Sequence, residues 1–267
     1  MKKFTTSVAI LSLAVVLGAC GFGHQSTKSA SSTSSKSAKA ISKSKPAAKS
    51  ESASSSSKAS QASSQATAPT LASLNAQVKQ RIGAKTTTNI GVPAGQHAIV
   101  GYTGNAANYT VYYAVGATAA QLQATKLTNA TITISKQTFG TTGAAEAKIN
   151  YQAPVKGLPT VNLGNHMTAT SEGAAGSTYY TWYEGRWSVV LRSSNVNNED
   201  GLSASKQAAA VLATEMLPIP AGHGAVTLSA TTQSALSNTV VWREGTSVYT
   251  VSGRNDLQTL RAATSLN

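Results

Sequence analysis

The chain has 267 residues, 12% charged and 41% hydrophobic, a net charge of +13 and a single cysteine, Cys20. One cysteine excludes an intramolecular disulfide, a cysteine-based zinc site and a Cys-His catalytic pair in the folded part. Two aspartates, Asp200 and Asp256, and seven glutamates are too few for an EF-hand loop or an Asp-rich magnesium site, so neither a metal nor a cofactor is expected.

The N-terminal segment carries Lys2 and Lys3 and then an apolar run from Phe4 to Leu17, broken only by Thr5, Thr6, Ser7 and Ser12. This run is shorter than the roughly 20 apolar residues of a spanning helix and is followed by polar sequence, which reads as an export signal over residues 1–19. Leu17-Gly18-Ala19-Cys20 resembles the lipobox of bacterial lipoproteins. That resemblance implies that Cys20 carries the lipid and becomes the first residue of the mature chain. Each buried CH₂ of an acyl chain contributes about 0.8 kcal/mol, and one chain alone holds marginally, so the several chains of a lipoprotein give stable anchoring. The expected location is the extracytoplasmic face of the cell membrane, with the protein anchored there and not spanning it.

Residues 20–70 collapse to Ser, Ala, Lys, Thr and Gln, a composition that buries too little surface to offset ordering entropy; the segment reads as a disordered tether. As a flexible coil its ends lie roughly 40 Å apart. Lys28, Lys36, Lys39, Lys43, Lys45, Lys49 and Lys58 face only Glu51, so nearly half of the excess charge sits here. No aromatics or arginines interleave these lysines, and an exported chain meets no genome, so nucleic acid is excluded as the partner. Two readings stand: the lysines contact anionic lipid or a wall polymer as salt-screened point charges, or they keep the linker extended and soluble. No protein partner is indicated.

Residues 71–267 are long enough for a single core. Leu71, Leu74, Val78 and Ile82 fall at helical spacing and Gly83 suits a C-terminal cap, which predicts a first helix. HAIVGYT, YTVYYAV and ATITIS read as strands, TTGAAEAKIN as a short helix, and VNLGNHMTATS as one further strand. YYTWYEGRWSVVLR, residues 179–192, predicts a hairpin with Gly185 in the turn, followed by the helical SASKQAAAVLATEM. VVWREGTSVYTV then repeats Trp-x-Glu-Gly at Trp242, Glu244 and Gly245, and Asn255 suits the N-cap of a last helix. The echo reflects either a duplication or shared turn chemistry. Together these elements predict an α+β fold, mainly antiparallel sheet with helices packed on one face.

YTWYEGRW, MLPIPAGHGAV and VVWREGTSVYTVSG, in that order between Val161 and Leu266, resemble a group of uncharacterised lactobacillus-type (Gram-positive) cell-surface lipoproteins. The resemblance implies a compact extracytoplasmic domain on a lipid anchor and carries no reaction over to any residue.

Candidate chemistry is sparse. The acids Glu146, Glu172, Glu184, Glu199, Asp200, Glu215, Glu244 and Asp256 include no recognisable glycosidase pair. His97, His166 and His223 lack close metal-ligand spacing, and no Gly-x-Ser-x-Gly elbow or phosphate loop is present. Trp182, Trp187 and Trp242 either fill the core, the favoured reading, or offer a stacking platform. Glu184 and Arg186 flank the hairpin turn. These five residues, Trp182, Glu184, Arg186, Trp187 and Trp242, are the candidate ligand-binding set. The leading expectation is a non-catalytic binding or interaction domain; the alternative is an exported hydrolase acting on wall polymer or peptide, with Glu184 or Glu172 brought close to a histidine.

Overall fold

A computed structural model describes residues 68–266. The export signal, Cys20 and all but the last residues of the tether lie outside the described residues. No described helix is long and apolar enough to cross a membrane.

The first helix, α1 (Leu71–Ile82), starts at a reciprocal cap in which the Ser73 amide donates to Thr70 Oγ1 and the Thr70 amide to Ser73 Oγ; Gly83 ends it at a positive φ of 61°. Four strands follow: β1 (His97–Gly104), β2 (Tyr109–Gly116), β3 (Gln121–Gln123) and β4 (Ile132–Thr138). A short helix, α2 (Thr142–Glu146), precedes β5 (Thr160–Gly164), β6 (Met167–Ala174), β7 (Ser177–Glu184) and β8 (Trp187–Ser194). Then come α3 (Gly201–Leu212), β9 (Gly224–Ser229), β10 (Asn238–Glu244), β11 (Ser247–Gly253) and α4 (Asp256–Thr264).

All eleven strands join one sheet in the order β3-β1-β2-β4-β11-β10-β9-β8-β7-β6-β5. Pairing is antiparallel except at β1–β3 and β8–β9, the latter bridged by the α3 crossover. The mostly antiparallel sheet with a few helices therefore agrees with the fold class read from the sequence. Because side chains alternate along a strand, cross-strand partners share a face. One such row runs Val111, Ile134, Val251, Val240, Val226, Val189 and Trp182 across seven strands, each at most 1% exposed. Each side chain removed from water in this way contributes about 1.5–3 kcal/mol.

The helices meet the sheet through specific contacts. Asn75 of α1 donates to the Thr87 carbonyl at 2.8 Å and accepts from Tyr113 Oη at 3.1 Å. Burial pushes the Tyr113 phenol well above its usual range, so it stays protonated and donates. α3 contacts β5, β7 and β8, α4 contacts β10 and β11, and the two helices touch each other. The helix α2 departs from the expected arrangement: its Glu146 pairs with Arg243 at 2.7 Å, and Arg243 projects from β10 on the side opposite its buried neighbour Trp242.

VNLGNHMTATS also differs from the sequence reading. It is not one strand but the β5–β6 hairpin, because Asn165 and His166 both take positive φ, 51° and 62°, and reverse the chain. Asparagine tolerates this region, and Gly164 precedes it at 86°. The sheet edges are modest: β3 has three residues, and β5 is interrupted by a register shift between Asn162 and Gly164.

Candidate functional site

β7 carries a strict division of labour. Tyr180 and Trp182 face α3 and the core, so Tyr179, Thr181 and Tyr183 project from the other face. There they line a groove of about 340 Å³ together with Thr170 and Glu172 of β6, Val190 of β8 and Thr227 of β9. The cross-strand register explains the assembly, since Glu172 lies opposite Tyr179, Thr170 opposite Thr181, and Val190 opposite both Thr181 and Thr227.

The segment between α2 and β5 forms one wall, with Asn150, Gln152, Ala153, Val155 and Leu158. It is pinned to the sheet where the Gln152 amide donates to Ser188 Oγ at 3.0 Å, and Tyr151 stacks on His223 with centroids 4.0 Å apart. Tyr151 also leans against Tyr183 at 6.4 Å. Burial, followed by the neighbouring Tyr151, raises the Tyr183 phenol above its usual value, so it is a protonated donor throughout the physiological range. Among the described residues the Tyr179 and Tyr183 phenols, the Thr227 hydroxyl and the Glu172 carboxylate make no hydrogen bond to protein. They are polar groups in a concavity with their bonding capacity unspent.

The residues singled out from the sequence divide between core and surface. Trp182 and Trp242 are sealed inside, 1% and 0% exposed, and this corrects their inclusion in the ligand-binding set. Trp242 stacks on Tyr249 at 5.3 Å and donates to Glu244 Oε1 at 3.0 Å, whereas Trp182 Nε1 has no protein acceptor. Trp187 is also buried, with its six-membered ring lying where Gly224 has no Cβ. Its indole edge, with Glu184, Gly185 and Arg186, lines a second cleft of about 370 Å³ under Leu212 and residues 215–220. Trp187 Nε1 donates to the Pro218 carbonyl and Arg186 Nη1 to the Pro220 carbonyl, each at 3.2 Å, so both side chains serve first to hold that connection in place.

The three histidines among the described residues are exposed and scattered. His97 opens β1, His166 sits in the β5–β6 turn and His223 precedes β9. None lines the groove of Glu172 or the cleft of Glu184. No group of three or more metal-ligating side chains is present among the described residues.

Sequence reasoning weighed the tryptophans of YYTWYEGRW and passed over its tyrosines. The signal was there: with Trp182 assigned to the core, period two sends Tyr179, Thr181 and Tyr183 to the opposite face. The wall over residues 150–158 had no such signal, since its position depends on a tertiary hydrogen bond. No protein-family model matches the chain, and the comparisons with curated proteins and with solved structures give no match.

Proposed function

We propose that this chain is a membrane-anchored extracytoplasmic lipoprotein of the lactobacillus type, lipidated at Cys20, whose domain binds a ligand without transforming it. The observation that carries the binding half is the groove over β6 to β9, where two half-exposed tyrosines and unpaired polar groups converge on a scaffold fixed by core burial on its other side. In this reading the sheet's faces divide the work: α1, α3 and α4 cover one, and the other carries α2 and the 150–158 segment and holds the groove for the ligand. The anchor rests on Leu17-Gly18-Ala19-Cys20, and the tether lysines add salt-sensitive attraction to anionic lipid or wall polymer. An exported hydrolase would need a proton-transfer partner for Glu172 or Glu184: no second carboxylate and no histidine lines the groove of Glu172, and in the cleft of Glu184 the second carboxylate, Glu215, is already engaged by Thr264 Oγ1 and by Arg261 at 3.8 Å.

Two measurements test the reading. Cys20→Ser abolishes the membrane-bound fraction on envelope fractionation and releases unlipidated protein; an unchanged distribution overturns the anchor. Titration of the ¹⁵N-labelled full chain with solubilised envelope polymer shifts backbone signals of β6 and β7, with the polymer recovered intact. Shifts elsewhere alone, or polymer cleavage that Glu172→Gln or Glu184→Gln abolishes, overturn non-catalytic binding at this groove.

A further inference from the structure

The composition of the groove narrows its ligand. Its lining holds one charged side chain, Glu172, against a set of hydroxyls, phenols and side-chain amides. Along the register row, Glu172 faces Tyr179 and Tyr179 faces Arg192, so an acid and a base flank one aromatic ring. No ion pair joins them among the described residues, and their charges cancel along the row. A domain with 13 basic residues against 8 acidic ones thus lines this polar groove with none of its lysines or arginines. An anionic ligand would meet Glu172 within the lining, and a strongly cationic one would meet Arg192 on the far side of Tyr179 in the same row.

What fits is a neutral ligand that is amphipathic face by face, apolar on the flat of a ring and hydroxylated around its edge. Tyr179 and Tyr183 stand on one face of one strand, four residues and therefore roughly 13 Å apart, a span for more than one ring. The rings offer stacking surfaces, the Glu172 carboxylate accepts from vicinal hydroxyls, and the phenols, Thr227 and the amide of Asn150 complete the edge.

Resting on the binding reading above, we infer that the groove takes an uncharged glycan chain, one sugar ring stacking on Tyr179 between Glu172 and Arg192 and a further ring at Tyr183. The test titrates the ¹⁵N-labelled full chain with an N-acetylglucosamine tetramer and, separately, with trilysine. The tetramer is expected to shift β6 and β7 signals saturably; Tyr179→Ala weakens it about tenfold while Tyr179→Phe, which keeps the stacking face, stays within about threefold. Equal thermal unfolding midpoints for the two variants show that the loss is local. Glycan recognition is overturned by tetramer binding indifferent to Tyr179→Ala, by trilysine binding that Glu172→Gln abolishes, or by no response to the tetramer. If the envelope polymer still shifts the same strands in any of these cases, the binding reading survives and only the ligand class fails.

Discussion

The β7–β8 and β10–β11 hairpins begin from the same four-residue pattern and end with different duties. Each closes with a two-residue turn led by glycine at positive φ, 56° at Gly185 and 59° at Gly245, and each buries a tryptophan three residues earlier. Each is followed by a helix that packs back on its own two strands. In the second hairpin the acid is spent: Glu244 accepts from Trp242 Nε1 and pairs with Lys85 at 3.3 Å. In the first, Glu184 leaves Trp182 unpartnered and lines a cleft instead. The position after the turn differs as well, with Trp187 where the second hairpin has Ser247. Identical turn chemistry therefore fixes backbone geometry alone; neighbours from distant sequence decide whether the polar group stabilises the fold or is left available.

That contrast can be broken first at Trp187. Gly224→Ala puts a Cβ into the ring that only the first hairpin carries, and overpacking of this kind costs about 1–3 kcal/mol. Chemical denaturation is expected to show the loss, with a change in tryptophan fluorescence; a neutral result would mean that the ring moves aside freely. A finer comparison sets Trp182→Phe against Trp242→Phe. Both leave space, but only the second removes a hydrogen bond, so Trp242→Phe is expected to be worse by about 1 kcal/mol. Equal losses would erase the difference between the two hairpins.

The smallest effect concerns the connection that follows each hairpin. Residues 195–200 separate β8 from α3, whereas two residues separate β11 from α4. Glu199 fastens the longer one by accepting from the Ser194 amide at 2.7 Å and from Thr231 Oγ1 at 3.0 Å. The Ser194 amide chiefly holds its carboxyl below the usual range, burial opposes, and the Thr231 hydroxyl assists. A depressed folded pKa means that the stabilisation is complete above the ordinary carboxylate range and disappears as pH falls through the folded value. Glu199→Gln is expected to flatten the acid limb of the stability–pH curve slightly, and an unaltered limb would assign the acid sensitivity elsewhere.

Legibility in the sequence followed how local each determinant is. Helix α1 was readable because Leu74, Val78 and Ile82 recur on one face and Gly83 stops it. Both tryptophan hairpins were readable from Glu-Gly between β-branched and aromatic flanks. The β5–β6 turn was missed because its signal, Gly-Asn-His, lies inside a run of otherwise strand-like residues. The β8–β9 parallel pairing depends on where α3 delivers the chain, and nothing in GAVTLS announces it. The groove was half visible, as alternation along β7; its wall depends on a Gln152–Ser188 bond between residues 36 apart in sequence.

A sheet of eleven strands has two margins at which another chain's backbone could add itself, and both are blunted here. At one end β3 offers a mere three-residue template, and at the other the kink in β5 throws the amides out of step. Molecules crowded side by side would thus find little to zip onto, and the protein can be dense without seeding fibrous clumps.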